Sequence, residues 1–275
     1  MLNATPYTKL YIYRILYRRT DQIKPKIVAA ALEDAIKHGV DIINIPFGWD
    51  RESGDEHDQL RAALKKCSEN DVLIFAATSK DHPDSESGMA YLARHDSVIA
   101  IDAASSQGKW LSPNPSRDND FKPHRFTAFG EGIKVDFPPQ FGTKEGWKRM
   151  DGTSAATPVA AGIAALLLEF ARQPPLGYAE EVAKVLKRPE DMREVLAGAV
   201  AVKRSKNGEY SHLVPGRLFK CDSDSGDAGD WFSLNCLRRQ AVDAVITILK
   251  NKYGHEIAHP MNERVQREWT QMALA

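Results

Sequence analysis

The stretch from Ala155 to Ala171 constrains the fold most, because almost every residue in it is small or apolar. A helix that is apolar nearly all round belongs in the middle of a protein core. The chain enters this stretch through G-T-S at Gly152 to Ser154. The sequence therefore predicts a core built around this helix, with Ser154 at its N-terminal end.

Short apolar runs alternate with helical patterns before this helix. Val40 to Phe47, Val72 to Ala77 and Ser97 to Ala103 have the length and composition of buried strands. Helical patterns at Lys26 to His38 and Asp58 to Ser68 separate them. Parallel strands need crossover helices, which cover both faces of the sheet. The sequence therefore predicts an α/β domain with a mainly parallel sheet flanked by helices, and ligand sites beyond the carboxyl ends of its strands.

Weaker patterns complete the assignment. The sequence predicts a strand at Lys9 to Leu16, a surface loop at Gln107 to Asp120, two helices at Ala179 to Leu186 and Pro189 to Leu196, and a hairpin through Lys206 to Gly208. Because the first strand starts abruptly, we expect the chain to begin within a domain.

The last part of the chain has a different composition. Asp222 to Asp230 reads DSDSGDAGD, an acidic and Gly-rich stretch typical of a linker. Leu237 to Tyr253 repeats apolar residues at helical spacing, which predicts an amphipathic helix that docks on its own domain. We therefore expect a main domain at residues 1–220 and a linker with a helical tail at 221–275.

Composition excludes several functional classes. Lys+Arg and Asp+Glu both number 37, so the chain as a whole has no field that attracts nucleic acid or an anionic membrane. No apolar run of about 18 residues is present, and the N-terminal residues lack the order of regions seen in a secretory signal. Three cysteines without short spacing do not form a disulfide framework. We expect a cytoplasmic protein that binds neither nucleic acid nor membrane.

Ser154 is the residue whose position best suits a chemical reaction. At a helix N-terminus its hydroxyl lies beside free backbone N–H groups, which suit an oxyanion. A nucleophile and a simple helix N-cap are both consistent with this position, and the residues alone leave the two open.

The motif G-T-S-A-A-T-P at Gly152 to Pro158, followed by small residues, resembles the subtilase family of serine peptidases. DIINIPFG at residues 41–48 resembles the family's cleft-lining strand, and FAATSKD at residues 75–81 its oxyanion strand and loop. The amino-acid sequence of the chain is most similar to that of intracellular fungal members of the family. The resemblance implies a partial, three-layer subtilisin-like peptidase domain in residues 1–220, lacking its N-terminal portion.

The resemblance assigns roles to particular residues. It makes Ser154 the nucleophile and places Gly152, Thr153 and Lys80 in the oxyanion region. A second group, in the substrate cleft, consists of Pro46, Phe47 and Gly48.

Three departures from the family pattern bear on activity. The family's catalytic Asp and His lie upstream of the matching region, so both are absent here. Lys80 stands where the family has an asparagine that donates to the oxyanion, and Pro46 stands where it usually has a serine. In subtilisin itself, losing an oxyanion donor costs about 100- to 1,000-fold in rate, and losing the base costs on the order of a million-fold. The missing histidine therefore matters most.

The resemblance implies a serine endopeptidase that cleaves peptides or proteins through an acyl-enzyme. We expect this chain alone to be inactive, with a partner or an upstream segment needed to complete the triad. The alternative is a non-catalytic, subtilase-like module that binds peptides. The acidic stretch lacks the ligand spacing of a calcium loop, and we expect no cofactor or metal.

Overall fold

The structure is a computed structural model. It describes residues 8–16, 18, 21–49, 55–78, 89–111, 114–115, 125–137, 145–173, 176, 180–205, 209–218, 238–253, 263 and 267.

A six-stranded sheet organises the described part of the chain. Its strands are β1 (Ile42–Ile45), β2 (Leu73–Ala77), β3 (Val98–Ala104), β4 (Arg125–Phe129), β7 (Ala201–Ser205) and β8 (Glu209–Leu213), in the spatial order β1-β2-β3-β4-β8-β7. All neighbours are parallel except β7 and β8, which form an antiparallel hairpin. A separate antiparallel ribbon consists of β5 (Ile133–Asp136) and β6 (Trp147–Met150).

Helices cover both faces of the sheet. One face packs against α1 (Pro25–Lys37) and α2 (Asp55–Glu69), and α3 (Tyr91–Arg94) lies beside them. The other face packs against α4 (Thr153–Arg172), α5 (Glu180–Leu186), α6 (Pro189–Val195) and α7 (238–253). Strands β2 and β3 are buried along their whole length, as expected for central parallel strands. The predicted three-layer α/β architecture is confirmed.

Helix α4 occupies the middle of the larger core. Its buried residues include Ala156, Ala160, Ala164 and Leu168, which face the sheet and α5 to α7. It is the helix in the described part of the chain with the length and mean hydropathy, 1.6 over its most apolar window, of a membrane span. Because 61% of that window is buried inside the protein, α4 has the surroundings of a core helix.

The strand predicted at Lys9 to Leu16 is wrong, since residues 9–16 are irregular in the structure. A strand needs a hydrogen-bonded neighbour, and among the described strands β1 pairs only with β2. The segment lies against α1 instead: the Tyr13 hydroxyl donates to Asp34 Oδ2 at 3.0 Å, and the Tyr11 ring contacts His38. Local β propensity did not suffice without a pairing partner.

The loop predicted at Gln107 to Asp120 is only partly at the surface. Within its described residues, Asn114 and Pro115 are buried. The Asn114 side chain accepts from Ala103 N at 2.8 Å and donates to Ala103 O at 2.6 Å, so it pairs with β3 as a neighbouring strand would. At Asn114 the prediction of a surface position is wrong, because a polar side chain can be buried when it satisfies buried backbone groups.

The C-terminal helix α7 docks on the main core, as its pattern predicts. Ala241, Val242, Val245, Ile246 and Leu249 join the same cluster as α4. At the end of α7, Lys252 and Tyr253 both donate to the fully buried carboxylate of Asp191 in α6. The acidic stretch from Asp222 to Asp230 lies outside the described residues, so its assignment as a linker stays a prediction.

Candidate functional site

A strained turn precedes the serine. Gly152 has φ +104°, in the region that only glycine adopts readily, and its N–H donates to Gly130 O at 2.8 Å. Gly130 itself leaves no room for a side chain, because an added Cβ would lie 2.9 Å from each of Ala103 Cβ, Ala156 Cβ and Gly152 O. The two glycines therefore fix where α4 begins relative to β3 and β4.

The first turn of α4 presents backbone donors. The Ala155 and Ala156 N–H groups donate to Gly152 O at 3.0 and 3.1 Å, so the intrahelical bonds begin at Ala155. Within the described residues, the N–H groups of Thr153 and Ser154 have no acceptor. Gly152, which we predicted to lie in the oxyanion region, sets the backbone conformation before Ser154, and its own N–H is already bonded to Gly130 O.

Ser154 is not the N-cap. Gly152 holds that position, and no side chain caps the helix. The Ser154 hydroxyl is exposed and instead donates to Pro46 O at 2.6 Å, across 108 residues of sequence. The N-cap interpretation is therefore wrong, and the predicted nucleophile lies beside the predicted cleft.

The predicted cleft residues follow β1 directly. The β1 ladder stops at Ile45 because Pro46 has no N–H to continue it. Phe47 packs edge-on against Trp49, with ring centroids 5.9 Å apart. Gly48 passes so close to Ala90 that an added Cβ would lie 2.5 Å from Ala90 Cβ. These contacts hold the loop after β1 against the start of α3.

Lys80 lies outside the described residues, so its predicted oxyanion role stays a prediction. The structure does describe the residue at the end of β2 that leads toward it. Thr78 N–H donates to Ile101 O, and Thr78 O accepts from Ala90 N at 2.8 Å. Both ends of the intervening stretch are thus joined at the carboxyl end of β2.

A buried ion pair under this end of the sheet was not predicted from the sequence. Arg125 donates to both carboxylate oxygens of Asp102, at 2.6 and 2.9 Å, and both side chains are 0% exposed. Thr78 Oγ1 donates to Asp102, and Pro115 O accepts from Arg125. The signal in the sequence is the single acid inside the apolar run VIAIDAA at residues 98–104, since a buried charge needs a partner.

His212 is a further buried polar residue, and it lies in β8 beside Thr127 of β4. Its Nδ1 lies 3.0 Å from Thr127 Oγ1, and its ring packs against Gly108. Burial lowers the pKa of His212 below its usual 6.5, the charge of Arg204 lowers it further, and the contact with Thr127 opposes the shift. His212 is therefore held neutral.

Acidification is expected to destabilise the protein through His212. Because its pKa is lower in the folded state, the unfolded chain binds more protons as the pH falls below about 6.5. The free energy of unfolding should therefore fall with pH from that point, by less than about 1.4 kcal/mol per unit, the limit for one proton. Urea denaturation between pH 5 and 8 measures the slope. His212→Gln should flatten it; equal slopes in the two proteins contradict the assignment.

No general base is found next to Ser154 in the described residues. They contain His38, His57, His95 and His212, and none of these hydrogen-bonds to the serine. The same part of the chain holds no cluster of His, Cys, Asp or Glu able to bind a metal ion. Cys67 is buried, which raises its pKa to about 12 and keeps it an unreactive thiol.

A model of the subtilase family matches residues 3–213, which is most of the chain. The chain belongs to the subtilase family. This subtilase is 32% identical over 181 residues to the subtilisin-like protease het-Q2 of Podospora anserina, covering 63% of this chain and 47% of that protein. It is 28% identical over 173 residues to subtilisin DY of Bacillus licheniformis, covering 61% and 57%. The chain thus spans about half the length of these relatives.

Solved structures give the same family fold. A serine-to-alanine mutant of the protease domain of PatA superposes with a TM-score of 0.55 and 25% identity, covering 72% of this subtilase and 65% of that chain. The PatG macrocyclase in complex with peptide also gives 0.55 and 25%, covering 71% and 56%. These similarities confirm the predicted subtilisin-like fold, and the domain is a subtilase serine protease domain by family.

Proposed function

We propose that Ser154 is the nucleophile of a serine endopeptidase site that attacks a peptide carbonyl and forms an acyl-enzyme. The observation that carries this proposal is the exposed Ser154 hydroxyl, which lies 2.6 Å from Pro46 O at the end of the cleft strand. The buried helix behind the serine and the Gly130–Gly152 contact hold it in a fixed position. Rigid support of this kind is what a reacting group requires.

The oxyanion of that reaction would be bound by backbone N–H groups at the start of α4. Ser154 N–H is the principal donor, since it has no acceptor in the described residues and follows the Gly152 turn. We assign Lys80 as the side-chain donor in place of the family's asparagine, and Pro46, Phe47 and Gly48 as the substrate-lining loop.

The base of the reaction must come from outside the described residues. The Ser154 proton is directed at a backbone carbonyl, which cannot accept it as a base does. We therefore propose that a partner or an upstream segment supplies the histidine and aspartate, and that this chain alone is inactive. Among the described strands β1 has one unpaired edge and leads straight into Pro46, which supports this because an added strand would lie next to the serine.

A non-catalytic, peptide-binding subtilase module is the second candidate. The observation in its favour is Pro46, which removes a backbone N–H from the strand that lines the cleft. Lys80 in place of the oxyanion asparagine points the same way. In such a module Ser154 stays bonded to Pro46 O and performs no chemistry.

Labelling with a fluorophosphonate probe tests the two candidates. We expect the chain alone to stay unlabelled at neutral pH, because the described residues place no base next to Ser154. We expect labelling when the chain is produced together with the coding sequence upstream of Met1, in which the peptidase proposal requires D-[ST]-G and H-G-T-H motifs. In-gel fluorescence provides the measurement.

Ser154→Ala is the matched control, since it removes only the hydroxyl. Labelling of the longer protein that disappears in Ser154→Ala supports the peptidase and excludes the non-catalytic module. An upstream sequence without the two motifs, together with a folded but unlabelled protein, excludes the peptidase and leaves peptide binding.

A further inference from the structure

The ribbon of β5 and β6 leads directly into the nucleophile turn. Met150 ends β6, and Asp151 and Gly152 follow it into α4. Gly132 anchors the base of the ribbon from both sides: its N–H donates to Asp151 Oδ1, and its carbonyl accepts from Arg149 Nη1 at 2.8 Å. The ribbon is therefore tied to the turn that carries Ser154.

The outward face of the ribbon carries an unfavourable charge pair. Lys134 lies directly opposite Arg149 in the ladder, and both side chains are exposed. Like charges facing each other across two strands are destabilising, and a two-stranded ribbon has little stability to lose. A negatively charged ligand would remove this repulsion.

An aromatic ring holds the Lys134 side chain in place. Lys134 Nζ lies 4.7 Å from the centre of the Trp147 ring, which is on the same face of the ribbon. Such a contact fixes an ammonium group and leaves its charge available to an anion. The outward face therefore presents the Lys134 charge in a fixed position before any ligand binds.

Basic side chains outnumber acidic ones on the outward face of the ladder. Asp151 lies outside the paired strands, where it accepts from Gly132 N–H. Asp136 shares that face with Lys134 and Arg149, so two cations stand against one carboxylate. Glu131 and Glu145 lie beyond the ends of the paired strands.

We propose that the outward face of this ribbon selects acidic residues in the peptide that the Ser154 site takes, with Lys134 and Arg149 as the specificity-determining residues. The inference rests on the proposed function only in that the ligand is a peptide. It needs no catalysis, because charge complementarity acts in binding.

Two fluorescein-labelled peptides that differ only in three consecutive Glu or Gln residues test this. Fluorescence anisotropy with the full Ser154→Ala chain gives both dissociation constants in 50 mM salt. We expect the Glu peptide to bind about tenfold more tightly, and Lys134→Glu to remove most of that preference. Salt at 500 mM should abolish the preference as well, because exposed charges are screened.

Matched variants separate charge from folding. Arg149→Lys keeps the charge, so it should keep the preference for the Glu peptide. Lys65→Glu changes an exposed lysine on α2 that pairs with Glu69, and should leave the preference unchanged. Equal binding of the two peptides, or an equal loss in Lys65→Glu, overturns the proposal. Because Ser154 is absent, a preference for the Glu peptide stands even if the longer protein is never labelled, and labelling without preference contradicts the ribbon proposal alone.

Discussion

Arg125→Met is expected to lower the free energy of unfolding by about 3–5 kcal/mol, because it removes the guanidinium that pairs with the buried carboxylate of Asp102. Asp102 would keep the Thr78 hydroxyl as a donor but lose both guanidinium bonds. Pro115 O would lose its donor as well. Equilibrium denaturation in urea measures the change.

Two further variants test whether loss of the buried guanidinium causes this destabilisation. Arg61→Met removes an arginine from an exposed pair with Asp58, where we expect less than about 1 kcal/mol. Replacing the buried pair together, Asp102→Leu with Arg125→Met, should recover much of the stability lost in the single variant, since an apolar pair leaves no uncompensated charge. If Arg125→Met is as mild as Arg61→Met, the buried pair does not stabilise the sheet in this way.

Gly130→Val is expected to disrupt the turn before Ser154 and to cost about 1–3 kcal/mol of stability. The new side chain would meet Ala103, Ala156 and the carbonyl of Gly152 at once. The two alanines belong to the core and the carbonyl to a turn with φ +104°, so none of them can move freely. The start of α4 must therefore shift, and Ser154 with it.

The measurement combines urea denaturation with fluorophosphonate labelling of the longer protein that we propose supplies the base. Labelling should fall more steeply in Gly130→Val than the loss of folded protein accounts for. Gly216→Ala is the matched control, because nothing lies within 4 Å of its added Cβ and its φ is ordinary. If labelling falls only in proportion to the folded fraction, Gly130 contributes to stability and does not position Ser154.

The elements that sequence patterns predicted well are those with strong local signals. Helices α1, α2 and α4 to α7 and strands β1 to β3 lie where apolar periodicity placed them, within a few residues. Strands β4 to β6 were not predicted. IKVD alternates apolar and polar residues, but over only four positions, and WKRM shows no such alternation. The strand at residues 9–16 was predicted and is absent, because pairing decides whether a β-prone segment becomes a strand.

Sequence patterns likewise predicted some residues of the candidate site and missed others. The G-T-S motif predicted Ser154 at the start of a buried helix, and the resemblance carried by Gly152 to Glu169 agrees with the family match. The roles of Lys80, Thr153 and the cleft loop stay predictions. The Asp102–Arg125 pair and the Gly130 contact were not found, since each joins residues more than 20 positions apart.

The sequence by itself determined the family, the layered α/β fold and the identity of an exposed serine at a helix start, because these depend on local composition and a contiguous motif. Only the tertiary structure decided that the Ser154 hydroxyl bonds to Pro46 O, 108 residues away, and that Gly130 packs tightly between β3 and α4. It also decided that Lys134 faces Arg149 in the ribbon. The physical reason is that strand register and close packing between distant segments set these contacts. Neither can be predicted from the sequence of a single segment.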